Sequence, residues 1–174
     1  GISFMYAHHA RDLSKQSSTD SKIRVLRELN RKLSDKKPGF KEFEANFLEL
    51  VYSDKFSKHK KLIQYILAKT SSVSGLEMPI DFSQTTIEHI ASQKPQSGSS
   101  FLNELTIANI GNLILVGKEL NGKELSNKGF GLKKPLLVKY APHTDPIIAK
   151  ASQWTEKEIG SRAKYLAKFV YGQT

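Results

Sequence analysis

The sequence predicts an α+β domain, mostly helical, with two short strands late in the chain. Three observations carry that expectation. Apolar residues recur at helical spacing through much of the chain; a β-branched run at 85–90 and an apolar run at 112–116 have strand length; and stretches containing Gly, Pro and Ser separate these segments. At 174 residues and 39% hydrophobic, the chain is long enough for one globular domain, or for a core with a helical appendage.

Taken in order, the first residues, with His8 and His9, read as a frayed terminus. The chain starts at Gly1 rather than at a methionine, and a C-terminal fragment of a longer protein is the expectation. Lys22 to Leu33 is an amphipathic helix, with Ile23, Leu26, Leu29 and Leu33 at helical spacing. Pro38-Gly39 breaks it. Phe40 to Tyr52 puts Phe40, Phe43, Phe47 and Leu50 on one side of a second helix, and Ser57 to Thr70 uses Leu62, Ile63, Ile66 and Leu67 for a third. Ser71 to Asp81 is a loop by composition. It divides the chain into a helical region, 1–75, and a finger with C-terminal helices, 76–174, expected to form one compact unit.

Thr85 to Ile90 opens with β-branched residues and reads as a strand, followed by a polar loop over 93–100. Asn112 to Val116 is a second strand between Gly111 and Gly117, with a short helix expected where Asn121 stands. Leu132 to Tyr140 follows, with Pro135 as a first-turn residue. Asp145 is a plausible N-cap for a helix through Ile147, Ile148 and Ala151. Thr155 and Glu158 fit a capping box at the start of the last helix. Ile159, Ala163, Leu166 and Val170 form its buried face, Trp154 packs at the entry, and Arg162, Lys164 and Lys168 are expected in solvent.

Charge narrows the function. Lys and Arg total 27 against 17 Asp and Glu, a formal +10, with a sequence pI near 9.7. Such an excess favours a polyanionic partner, because each cation set against a phosphate releases condensed counterions. The bland alternative is a lysine-rich soluble surface. Zero cysteines exclude a disulfide framework and a thiolate zinc site. No apolar run is long enough to span a membrane, and a cytoplasmic setting is the expectation.

The stretch from Thr86 to Lys134 holds the chemistry. The run IEHI, then GNLIL, then LNGKELSNKGFGLKK resembles the C-terminal nuclease module of GmrSD-type restriction proteins, a branch of the HNH or His-Me finger (ββα-metal) endonucleases. KKLIQYILAKT before it and WTEKEIGSRAKYLAKFV after it resemble the family's flanking helices, so the resemblance covers most of Lys60 to Val170. Order and spacing of the three pieces carry it, since an EH or a GNL alone is common. The family's EHI-x-P pattern is not kept: Ala91-Ser92 follow the triplet and the proline comes at Pro95.

The resemblance implies a mostly helical domain around a small ββα-metal nuclease core, cutting DNA as the effector of a restriction or anti-phage defence protein. A sensing or nucleotide-hydrolysing N-terminal domain, absent from this chain, is the implied partner. Phosphodiester hydrolysis needs a base near neutrality and stabilisation of the leaving oxygen, and Mg²⁺ takes hard oxygen ligands while keeping several waters. Carried over residue by residue, His89 is the expected general base and Glu88 and Asn121 the expected ligands of Mg²⁺, for which Mn²⁺ or another divalent cation can substitute. Asn112 is expected to bond across the loop and orient His89. Strand alternation turns Glu88 and His89 to opposite faces, so a bend is needed to bring both to one metal.

Each residue also has a plainer reading. Asn112 after Gly111 and Asn121 before Gly122 fit turns, and Asn127 is an alternative ligand. Lys123, Lys128, Lys133 and Lys134 are candidates for phosphate contact or solvated lysines. One of Lys133 and Lys134 matches the family's lysine after the phenylalanine, here Phe130, and the sequence leaves open which. His8, His9, His59 and His143 lack a carboxylate and asparagine set and are expected to be structural or solvated. The rival to the nuclease is a non-catalytic basic nucleic-acid-binding module that uses the same finger as scaffold.

Overall fold

Helices dominate the computed structural model, which describes residues 1–72, 81–95, 102–140 and 145–172. The chain forms two compact units, Gly1–Gly39 and Phe40–Thr174. The expected boundary between residues 75 and 76 and His143 lie outside the described residues, as does most of both the 71–81 and the 93–100 loop.

The first unit pairs α1 (Ile2–Ser14) with α2 (Thr19–Ser34). The terminus expected to fray is helical. An i,i+4 contact of 2.8 Å joins His8 to Asp12, and His9 is buried with its Nδ1 2.7 Å from the Met5 carbonyl. Ser18 caps α2 by accepting from the Ser21 amide.

The second unit comprises α3 (Phe40–Leu48), α4 (Lys60–Ser72), β1 (Thr85–His89), α5 (Glu104–Ala108), β2 (Leu113–Gly117), α6 (Lys118–Leu120), α7 (Phe130–Tyr140), α8 (Pro146–Lys150) and α9 (Glu156–Gly172). A π-helical turn over Asn121–Leu125 continues α6. Strands β1 and β2 pair antiparallel, with Ile87 opposite Leu115, Glu88 opposite Ile114 and His89 opposite Leu113. Both strands lie within a residue of their expected bounds.

The two-stranded sheet is covered on both faces. Ile87, Leu113 and Leu115 pack with Phe47, Ile63, Leu67 and Leu166 on one side. Ile90, Ile114 and Val116 pack with Leu125, Leu137, Ile148, Trp154 and Ile159 on the other. That double burial is why β2 reads as a continuous apolar run rather than an alternation. It also means that neither Glu88 nor His89 can face water by default, whichever way the pleat turns it.

Helix α9 lies against the turn that leads into β2. A Cβ added at Gly111 would stand 2.1 Å from the Ile159 carbonyl oxygen, so only glycine permits this approach. The capping box forms as expected: the Thr155 amide donates to Glu158 Oε2 at 2.9 Å, and Thr155 Oγ1 accepts from the Lys157 amide at 3.3 Å. Asp145 caps α8 by accepting from the Ile147 and Ile148 amides at 3.0 and 3.1 Å. Pro135 departs from expectation. It lies inside α7, beyond the first turn, because the helix begins at Phe130. The Gly131 carbonyl, four residues earlier, therefore has no proline N–H to accept.

Candidate active site at the end of strand β1

The pleat of β1 sends Glu88 and His89 to opposite faces, into different surroundings. Glu88 faces α7 and is 7% exposed. Lys133, fully buried, reaches across from α7 and places its Nζ 2.5 Å from Glu88 Oε1 and 2.7 Å from the His89 carbonyl oxygen. Burial pushes the Glu88 carboxyl above its ordinary range, against the opposing pull of the Lys133 charge and smaller contributions that include a hydrogen bond from the Asn121 side chain. Burial pushes the Lys133 ammonium down, against the opposing pull of Glu88. Each charge is thus held inside by the other. Glu88, Asn121 and Lys133 converge, whereas Lys133 was expected at a phosphate. Its place on α7 turns this side chain toward the sheet rather than toward solvent.

His89 faces α3–α4 and their connection. Its Nε2 lies 2.9 Å from the Tyr52 carbonyl, and its ring stacks on the Tyr52 ring with centroids 6.1 Å apart. A carbonyl only accepts, so Nε2 carries the proton and Nδ1 keeps the lone pair of a neutral imidazole. The Gln93 amide Nε2 stands 3.3 Å from Nδ1 and donates to it. Burial lowers the His89 pKa below its ordinary value; the Tyr52 carbonyl opposes this, Lys133 adds to it and Asp54 opposes it. The ring is therefore neutral at neutral pH. Gln93 also lines a cleft of about 340 Å³, together with Ser53, Asp54, Phe56, Lys94 and Ile107 among others.

Asn112 ties the loop after His89 to the rest of the unit. Its Oδ1 accepts from the Ala91 amide at 2.7 Å and from Trp154 Nε1 at 2.9 Å. Its Nδ2 donates to the Ala91 carbonyl at 3.0 Å and to the Ile107 carbonyl at 2.7 Å. The two bonds to Ala91 fix the backbone two residues beyond His89, the others tie Asn112 to Ile107 and Trp154, and Trp154 is held in turn against Phe130, 5.1 Å between centroids. This is a bond across the loop, made to Ala91 rather than to the imidazole.

A family model described as GmrSD restriction endonucleases, C-terminal domain, matches residues 37–169. The chain belongs to that family. No curated protein matches the sequence. The matched span includes every candidate residue of this GmrSD C-terminal domain and begins close to the start of its second compact unit.

The remaining basic candidates of the GmrSD domain divide by exposure. Lys123 pairs with Glu119 at 2.6 Å, both largely exposed, and Lys128 lies 4.0 Å from Glu124. Lys134 Nζ donates to the Ala151 carbonyl at 2.7 Å. Asn127, the alternative ligand, accepts from Ser92 Oγ at 3.0 Å and stays with the loop.

Arg162, expected in solvent, is buried. Its Nε lies 2.5 Å from Asp145 Oδ2, and one terminal nitrogen donates to the Gly111 and Leu113 carbonyls at 2.9 and 2.6 Å. It grips the backbone on both sides of Asn112. A helical stripe that places an arginine beside Ile159 and Ala163 was the available signal. Gln93 was also missed; its place four residues after His89 was the only clue.

Among the described residues no helix is long and apolar enough to cross a membrane. Nor, among them, does any group of three or more His, Asp or Glu side chains stand close enough to hold a metal ion. A divalent cation here would rest on one carboxylate, one amide oxygen and water. The Glu88 carboxylate and the Asn121 amide oxygen are hard donors, which suits Mg²⁺ in kind.

Proposed function

We propose that this GmrSD C-terminal domain is a metal-dependent, HNH-type endonuclease module that hydrolyses phosphodiester bonds in DNA. It acts as the effector of a restriction or anti-phage defence protein, with target choice made by an N-terminal sensing or nucleotide-hydrolysing domain. The observation that carries the reading is the state of His89: a buried neutral imidazole whose Nε2 is committed to the Tyr52 carbonyl and whose Nδ1 holds a lone pair.

His89 Nδ1 takes a proton from the attacking water as the Gln93 amide gives way. The Tyr52 carbonyl, already accepting from Nε2, favours the imidazolium that results. Asn112 fixes the loop behind the ring. Glu88 and the Asn121 amide oxygen would hold the cation, Mg²⁺ or Mn²⁺, which when bound supplies positive charge to the phosphate and the leaving oxygen. The formal +10 charge of the chain supports attraction to DNA.

One observation favours the rival, a basic nucleic-acid-binding module that uses the finger as scaffold: the Glu88 carboxylate is already taken by Lys133. Incubation of the chain with supercoiled plasmid separates the two. Nicking that requires Mg²⁺ or Mn²⁺ and is lost in Glu88→Gln supports the nuclease. Salt-sensitive DNA binding with no cleavage in either ion supports the scaffold.

A further inference from the structure

We infer that Lys133 is the resident cation of the Glu88 carboxylate, and that a divalent ion reaches Glu88 only by displacing it. The inference rests on the proposal that Glu88 holds the cation.

Three observations lead to it. Lys133 is fully buried, whereas of the other site lysines Lys123 and Lys128 keep ordinary surface pairings and Lys134 donates to the Ala151 carbonyl. Its ammonium contacts the one carboxylate that is a candidate ligand, and at the same time the carbonyl of the next residue, His89. It thus sits against the last two residues of β1, where the candidate ligand and the candidate base diverge. A divalent ion on Glu88 would meet a positive charge a few ångströms away in a poorly screened interior, and like charges so close repel strongly. The ammonium and the ion therefore exclude one another at this carboxylate.

The exchange conserves the function of the site's charge. With Lys133 in place Glu88 is neutralised and β1 is tied to α7; with the ion in place Lys133 loses its partner and must leave the interior. The ammonium is the less demanding ligand, held by geometry already built into the fold, so the ion must be present at a concentration that overcomes it.

The test uses Mn²⁺ and Mg²⁺ alone as probes. Lysines of the intact chain are acylated with an amine-reactive ester, and the modified positions are read by mass spectrometry, with Lys123 as exposed reference. Lys133 is expected to be protected without metal and to be labelled on the order of tenfold faster at saturating Mn²⁺, while Lys123 is unchanged. In parallel, calorimetry of Lys133→Gln should show Mn²⁺ bound on the order of tenfold tighter than in wild type. Binding by Lys133→Gln alone, with none in wild type, equally supports displacement. Mn²⁺ binding to wild type with Lys133 still protected and Lys133→Gln no tighter overturns the inference and leaves the cation site standing. No binding by either protein removes the cation site and the inference together. If Lys133→Gln does not fold, the labelling of wild type decides.

Discussion

Two buried ion pairs in this domain have opposite characters. Arg162–Asp145 is closed: the guanidinium bonds a carboxylate and two carbonyls, and the carboxylate's other oxygen caps α8. Lys133–Glu88 is poised. Its carboxylate also meets Asn121, and its ammonium holds the His89 carbonyl at the end of the strand. A rigid planar fork suits the first task, because each donor has a fixed target. A single ammonium on a flexible stem suits the second, because it can be exchanged. The difference separates a pair that builds the fold from a pair that stands within the candidate site.

The sharpest way to break the comparison is Arg162→Met, which strands Asp145 and two carbonyls together. A loss of about 3–5 kcal/mol in urea unfolding is expected, as for removing one partner of a buried pair. A near-neutral result would mean that the closed pair is not structural. Asn112→Ala comes next. It orphans the Ala91 amide and carbonyl, the Ile107 carbonyl and the Trp154 N–H, so a loss of at least about 1–3 kcal/mol is expected. Unchanged stability would show that the loop holds His89 without it.

His89 is buried too, and it resolves burial by staying neutral instead of pairing with a charge. Its folded pKa lies below its ordinary 6.5, so its contribution to stability is present above that value and lost as pH falls through the folded pKa. The urea midpoint of wild type should therefore fall between about pH 8 and about pH 5.5 more steeply than that of His89→Gln. Parallel slopes would contradict a neutral buried ring. The smallest effect is expected at Lys123–Glu119, an exposed pair 70% and 83% open to solvent. Lys123→Ala should leave the unfolding curve unmoved, since such pairs contribute little.

Much of the frame was legible before any coordinates. The two strands, the Asp145 cap and the Thr155–Glu158 capping box depend on neighbours within a few residues, and local chemistry decides them. Lys133 and Arg162 were not legible as buried groups. Their partners lie 45 and 17 residues away along the chain, and a cation beside apolar residues reads as solvated until the opposing carboxylate is placed. Strand alternation alone sets Glu88 and His89 on opposite faces, and the bend expected to bring both to one metal is not formed, because β1 stays in regular pairing with β2 through His89. Alternation could not foretell that Tyr52, from the connection between α3 and α4, would set the imidazole tautomer, or that Lys133 would take the carboxylate.

The central claim is that His89 is the base of a cation-dependent nuclease. Initial rates of plasmid nicking by wild type and His89→Ala, across a Mn²⁺ titration and on folded protein, test it most directly. Loss of about 10²–10⁴-fold in rate, with Mn²⁺ and DNA binding retained, is the predicted result. Equal nicking by the two proteins would contradict it.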